Sequence, residues 1–414
     1  MMERRVVVTG MGTVNPLGNS VKATWDALLE GKSGISGITH FDASHLACRI
    51  AGEVKDFDYT LYFSGDMQKK AKRMDRFCHY AAAAMKEASD QAGLQGIAER
   101  HRIGISVGSG VGGLSVQHEN SVALFEKGDR RVSPFYIPMS IGNMASGVLS
   151  MIYGMTGPNL SLQTACATAN HSIAVAQMII RNGMADVMVA GGAEGAICEL
   201  GIAAFANMRA LSSRNDSPET ASRPYDKDRD GFVMGEGAGI LILEEYEHAK
   251  KRGAEVVCEV LSCGMSGDAY DFVMPDPEGK GALLSMRMAL DQAGLDASAI
   301  GYINAHGTST PVGDIAELKG IYELVNGNTD RVLIGSTKSY HGHLLGATAG
   351  LEAIITALAI REGVIPANKN IFNRDPELPP LMLPTEPVEK KIDVALSNSF
   401  GFGGHNSSLL LGSI

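Results

Sequence analysis

The chain has 414 residues, more than one ordinary core holds, so two domains or two fused halves are expected. Apolar residues make up 45 % and charged residues 20 %, which excludes wholesale disorder. A formal net charge of −10 argues against nucleic acid as a partner, and no apolar run approaches the ~18 residues of a membrane span.

From the start, Met1-Met2-Glu3 leads straight into the strand-like Arg4-Arg5-Val6-Val7-Val8, without the apolar stretch of a signal peptide. Further strands are predicted over residues 102–107, 186–190, 240–243, 256–261, 300–304, 332–336 and 394–397. Helices are predicted between them, including 74–93 and 281–294. Such alternation implies α/β layers. Residues 212–230 are polar and contain proline, and read as a surface excursion. Six cysteines are scattered without paired spacing, which predicts reduced thiols and a cytoplasmic protein. The 49 glycines exceed the usual ~7 % and cluster where backbone must approach closely.

A repeat emerges at an offset of 180 residues. Ala167-Thr168-Ala169 recurs as Ala347-Thr348-Ala349, and Ile180-Arg181-x-Gly183 recurs as Ile360-Arg361-x-Gly363. Both stretches between are helix-like. A duplicated α/β unit explains them. Cys166 stands at the start of one copy and His343 just before the other. Pseudo-twofold packing would bring these two starts together.

Cys166 sits among small residues where a helix begins. Helix amides would stabilise a thiolate and make a nucleophile there. A buried structural thiol is the alternative. Asn304-Ala305-His306-Gly307-Thr308-Ser309-Thr310 and Ser336-Thr337-Lys338-Ser339-Tyr340-His341-Gly342-His343 each follow a strand, where α/β sites gather. His306, His341 and His343 could form a metal triad, but no acidic or second cysteine partner completes it, so no metal is expected. Gly108-Ser109-Gly110-Val111-Gly112-Gly113 imitates a dinucleotide loop but lacks the acidic residue ending a second strand. Asp226 to Gly231 opens like a calcium loop, yet Gly237 stands where its last ligand should be. Near the end, Asn398-Ser399-Phe400-Gly401-Phe402-Gly403-Gly404 sets three glycines around two aromatics, either a mobile apolar gate or a tight connection.

Together these motifs resemble the β-ketoacyl-acyl-carrier-protein synthases, in particular the elongating synthase II type, over essentially the whole chain. Arg223-Pro224-x-Asp226 and Gly231-Phe232-Val233-Met234-Gly235-Glu236-Gly237 add to the match. The resemblance implies a thiolase-like α/β fold: two duplicated halves in five layers, α-β-α-β-α, forming a homodimer. We divide the halves at 1–254 and 255–414. It implies that Cys166 takes the acyl chain, and that His306 and His343 drive malonyl decarboxylation. Lys338 would order the site, with Glu352 behind it. Phe402 would gate it and share an oxyanion hole with the Cys166 amide. Thr308 and Thr310 would hold a phosphopantetheine arm delivered by acyl-carrier protein, with no other cofactor. Phe400 and Val111 would line the substrate channel. The chemistry that the resemblance implies is decarboxylative condensation in fatty acid elongation.

Three departures stand out. Asp271 and Val273 replace a His and an arm-binding Thr, and Tyr340-His341 replaces a Met-Thr pair. Val111 stands where a bulkier aliphatic is usual. A non-catalytic chain-length factor is the rival class, against which Cys166, His306, Lys338 and His343 all speak. A polyketide condensing enzyme is a second rival. For the carrier, Lys69, Lys70, Lys72, Arg73, Arg130, Arg131 and Arg209 are either solvated charges or a steering patch.

Overall fold

The computed structural model describes residues 4–326 and 329–414; residues 1–3, read as the lead-in to the first strand, lie outside the described residues. Five strands come first in the chain: β1 (Val6–Val14), β2 (Ile103–Gly108), β3 (Asn159–Leu160), β4 (Val187–Glu194) and β5 (Gly237–Glu245). Five more follow: β6 (Cys258–Gly267), β7 (Tyr302–Asn304), β8 (Leu333–Gly335), β9 (Val394–Gly401) and β10 (His405–Gly412). They form one ten-stranded sheet in the order β8-β7-β9-β10-β6-β1-β5-β4-β2-β3.

Counted outward from the central β6–β1 pair, both halves repeat one pattern. The first strand of a half is followed by its fifth, fourth, second and third. The first two pairings are antiparallel and the next two parallel, in both halves. Between the halves the ladder holds only Val7–Glu259 and Val8–Cys258. The duplication read from the 180-residue offset is therefore present in strand order and strand direction alike.

Seven helices matter here: α1 (Arg76–Ala92), α2 (Leu114–Lys127), α3 (Met144–Tyr153), α4 (Thr168–Arg181), α5 (Lys280–Ala293), α6 (Pro311–Val325) and α7 (Thr348–Glu362). Helices α1 and α3 cover the first half-sheet, and α5 and α6 share a core with the second. Helices α4 and α7 pack on each other and on strands of both halves, in a single shared core. This is the five-layer α-β-α-β-α arrangement. In α7 every residue from Thr348 to Ile360 is buried. A helix apolar on all sides belongs inside.

The duplication extends to backbone strain. A 3₁₀ turn precedes each central helix, Ala165–Ala167 and Leu345–Ala347. Each opens on a non-glycine residue with positive φ, 49° at Ala165 and 48° at Leu345. Such conformations cost about 1–3 kcal/mol each and persist where packing enforces them.

Two sequence expectations need correction. Much of the 212–230 stretch is internal: Ser212, Ser222, Tyr225, Asp226 and Arg229 are buried. Their charged groups are met largely by residues remote in sequence. The Asp226 carboxylate accepts amides from Asp228, Phe372 and Asn373, and Arg229 pairs with Asp375 at 2.6 Å and Asp314 at 3.4 Å. Strands β3 and β10 had no counterpart in the sequence reading. β3 has two residues, and β10 opens on the polar His405-Asn406-Ser407-Ser408. All six cysteines are free and buried. Among the described residues no helix is long and apolar enough to cross a membrane.

Helix α7 reaches the sheet through two facing glycines. A Cβ on Gly239 of β5 would collide with the backbone of Gly350 and Leu351, and one on Gly350 with Gly239. Gly239→Ala must push α7 away, and overpacking of this kind costs about 1–3 kcal/mol. Denaturant titration should show that loss, with activity falling too, because α7 carries Thr348 and Glu352.

Candidate active site

Cys166 sits in the strained turn before α4 and is buried. The turn is tied internally: Thr168 Oγ1 accepts the Thr164 amide at 3.0 Å and donates to the Ala165 carbonyl at 2.7 Å. Ser399, on β9, donates to the Cys166 carbonyl at 2.7 Å. Gly401 lies so close that a Cβ there would stand 2.7 Å from the Thr164 carbonyl oxygen and 3.1 Å from the Cys166 nitrogen. The glycine loop thus rests on the Cys166 turn because it lacks a side chain at that point.

The histidines arrive from the second half. His306 follows β7. Its amide and that of Gly307 donate to the Glu317 carboxylate of α6, both at 2.8 Å, and Asn398 Nδ2 donates to the same group at 3.1 Å. His343 precedes the second strained turn. Its Nε2 lies 2.9 Å from Cys166 Sγ, and its Nδ1 lies 3.0 Å from Thr348 Oγ1. The two imidazoles stand edge to face, centroids 5.3 Å apart. One ring nitrogen of each and the sulfur all fall within 4.8 Å of one another. The cavity they face measures about 400 Å³ and is walled by Phe205, Phe232, Phe400 and Phe402.

Lys338 does not open onto this cavity. Its ammonium donates to Glu352 Oε1 at 2.6 Å and to the His306 carbonyl. Burial, reinforced by the Lys338 charge, lowers His306 and His343 well below the ordinary imidazole range, so both are neutral. Burial also pushes the Cys166 thiol up to about 12, against the pull of Lys338 and of the Cys166 and Phe402 amides. A lowered thiol pKa was the sequence expectation. Desolvation of the charged form outweighs the helix start in this closed site. Glu352 is raised to about 7 by burial, partly offset by Lys338.

The remaining expected residues divide. Val111, Thr308, Thr310, Phe400 and Phe402 line the cavity, and the Thr308 and Thr310 hydroxyls lie 3.1 Å apart. Val273 lines it too. Glu352 does not; it sits behind Lys338, fully buried. His341 turns away, to Thr337 Oγ1 and the Gly342 carbonyl, so the three-histidine set is not brought together. Of the seven basic residues, Arg209 lines the main cavity. Lys72 and Arg73 line a second one, with Arg73 over the Phe135 ring at 4.3 Å. Lys69, Lys70, Arg130 and Arg131 are exposed away from both. Sequence reasoning assigned no role to Glu317, Ser399, Thr348, Phe205 or Phe232. Ser399, Thr348 and Phe232 lay inside stretches already singled out, whereas Glu317 and Phe205 lay outside them.

The chain matches the family model "Beta-ketoacyl synthase, N-terminal domain" over residues 3–249 and "Beta-ketoacyl synthase, C-terminal domain" over residues 257–372. It is 49 % identical to the 3-oxoacyl-[acyl-carrier-protein] synthase 2 of Vibrio harveyi over 413 residues, 99 % of each chain. It is 48 % identical to the protein of that name from Synechocystis over 409 residues, 98 % of this chain and 97 % of the other. A β-ketoacyl synthase from Burkholderia phymatum superposes with a TM-score of 0.92 at 33 % identity, over 99 % of this chain and 100 % of that one. A ketosynthase solved in complex with a type II PKS acyl-carrier protein gives 0.91 at 29 %, covering both chains fully.

The enclosed ion pair makes a pH-dependent prediction. Lys338→Met leaves Glu352 buried without its cation, which costs about 3–5 kcal/mol when the carboxylate is ionised. Its folded pKa then lies further above the unfolded ~4.5. The folded state therefore binds the extra proton, and stability must fall as pH rises from about 4.5 past 7. Lys338→Met with Glu352→Gln should regain most of the stability and lose the pH slope. Urea midpoints at pH 5 and pH 8 measure both; equal midpoints for the single variant would refute the pairing.

Proposed function

The chain belongs to the β-ketoacyl synthase family, and from that premise we propose that Cys166, His306 and His343 perform its condensation. The enzyme is an acyltransferase of fatty acid elongation. It joins an acyl thioester to malonyl-acyl-carrier protein, giving 3-oxoacyl-acyl-carrier protein and CO₂. The observation that carries the residue assignment is the 2.9 Å contact of Cys166 Sγ with His343 Nε2, with His306 beside them in an apolar cavity.

In the first half-reaction Cys166 Sγ attacks the acyl thioester carbonyl. The amides of Cys166 and Phe402, which both act on the sulfur, take up the oxyanion. The C–S bond to the pantetheine arm breaks. The proton leaving Sγ is matched by the one its departing sulfur takes up, so the exchange needs no net ionisation. In the second, the malonyl thioester oxygen accepts N–H bonds from His306 and His343. Loss of CO₂ leaves an enolate, whose carbon attacks the acyl-Cys166 carbonyl. A C–C bond forms, the C–S bond breaks, and the Cys166 sulfur leaves as a thiolate that takes a proton from solvent. Phe402 gates the cavity, and Thr308 and Thr310 hold the arm, which is the one group delivered from outside. Lys338 is a positioning residue, acting through His306 and Glu352.

Further features support the setting. Phe125, Leu124, Ile137, Ile141, Met151 and Leu160 are exposed apolar residues around α2, α3 and edge strand β3, consistent with a homodimer interface. The free thiols support a cytoplasmic location. The division at 254/255 falls between β5 and β6, where the strand pattern restarts. Identities of 48–50 % to synthase 2 enzymes, against 29–33 % to ketosynthases of other kinds, favour fatty acid over polyketide synthesis.

Two assays test this. His306→Ala and His343→Ala should each lower malonyl decarboxylation by about 10²-fold or more, while Cys166 acylation, read by intact mass, survives better. Cys166→Gln should decarboxylate malonyl-carrier without a primer and never condense. Acylation of another cysteine in the wild type would sink the assignment. For docking, Lys69→Glu and Arg130→Glu should raise KM for carrier substrates by about tenfold at low salt, leaving a short pantetheine thioester unaffected. Equal effects on both substrates would dismiss the steering role.

A further inference from the structure

The two central helices begin with threonines at matching places, Thr168 on α4 and Thr348 on α7. Their hydroxyls do different work. Thr168 spends both hydrogen-bonding capacities inside its own turn, on the Thr164 amide and the Ala165 carbonyl. Thr348 makes neither backbone bond. It is fully buried, and among the described residues the sole hydrogen-bond partner of its hydroxyl is His343 Nδ1, at 3.0 Å.

A buried hydroxyl proton needs an acceptor, and leaving it without one costs about 1–3 kcal/mol. Here the acceptor within reach is the Nδ1 lone pair. A neutral imidazole carries one N–H. If Thr348 donates to Nδ1, that N–H is on Nε2, the nitrogen that faces Cys166 Sγ. The opposite tautomer would strand the Thr348 proton. It would also turn a bare Nε2 lone pair toward the place where enolate charge develops.

We propose that Thr348 fixes the tautomer of His343, so that Nε2–H is always presented to the reacting oxygen. This rests on the decarboxylative reading of the site. Packing alone holds the ring but cannot choose its tautomer. Phe232 meets the imidazole edge to face at 5.2 Å and His306 at 5.3 Å. The His343 backbone is pinned by its amide to the Val233 carbonyl at 2.7 Å and by the Gly235 amide to its carbonyl at 2.8 Å. None of these contacts distinguishes Nδ1–H from Nε2–H. Among the described residues His306 has no such selector, since its buried Nδ1 lacks a partner. Thr348 is thus a positioning residue, acting on substrate through His343.

The test separates tautomer from turnover. Enzyme labelled with ¹⁵N-histidine, with His343 assigned by His343→Gln, reports protonation of each ring nitrogen by NMR. The wild type should show Nε2–H and an unprotonated Nδ1. Thr348→Val keeps shape but removes the donor; it should populate Nδ1–H and lower kcat for malonyl-carrier decarboxylation by about 10–100-fold with KM unchanged. Thr348→Ser should restore both. Nδ1–H in the wild type, or a Val variant with unaltered tautomer and rate, would overturn the proposal. If the wild type shows the expected tautomer yet never decarboxylates malonyl-carrier, the reaction reading fails and the role of Thr348 in setting the tautomer stands.

Discussion

Lys338 places an ammonium in the dry centre of the molecule and gives it two acceptors, Glu352 at 2.6 Å and the His306 carbonyl. Charges there are poorly screened, so neighbours respond strongly. Both imidazoles are held neutral, partly by that charge. Neutrality suits the chemistry. An imidazolium would pair with the malonyl carboxylate in the ground state and hold it back. A neutral N–H bonds most strongly only as charge develops on the thioester oxygen, which is what lowers a barrier. A buried ion pair is weak evidence for stability. Its contribution here is to fix the electrostatic state of the groups around it.

The ion pair belongs to one copy of the duplicated fold. Lys338 follows β8, His306 follows β7 and Glu352 rides on α7, so the second half supplies all three. The first half supplies Cys166 from the equivalent of the turn that follows His343. The same strained backbone occurs twice, at Ala165 and Leu345, but the next residue is Cys166 in one copy and Gly346 in the other. A Cβ on Gly346 would collide with Gly110, so that copy cannot carry a nucleophile. The duplication thus provides two like frames, one of which carries a thiol and the other a glycine.

How much of this was legible follows from what each feature demands of local sequence. The 180-residue repeat was readable because central helices tolerate only small and apolar residues between fixed ends, which leaves an imprint at both copies. Cys166, His306 and His343 stood out by their places at a helix start and after strands, and Lys338 by the family resemblance alone; the structure brings the four side by side. β10 was not, since its side chains His405 to Ser408 pair with β6 and β9 through the backbone while looking polar. The buried 212–230 stretch misled for a related reason. Its charges are satisfied by Asp314, Asp375 and the amides of Phe372 and Asn373, all remote in sequence. The environment of Glu352 and the orientation of Thr348 are likewise products of packing, invisible to any local window.

The raised thiol pKa then becomes intelligible as a property of the apolar cavity. Burial that destabilises a thiolate also destabilises every other uncompensated charge, so stray ions gain little by entering. Thioester exchange moves no net charge, because sulfur replaces sulfur and one proton replaces another. The cost of ionising Cys166 is therefore transient. It is met by groups already in place: the Cys166 and Phe402 amides and the Lys338 field, which all favour the anion. A permanently ionised cysteine would need a permanent cation nearby, and that cation would compete with Lys338 for Glu352 and the His306 carbonyl. The structure avoids that competition: Lys338 is held by Glu352 and the His306 carbonyl, beside two neutral imidazoles and a thiol pushed up by burial.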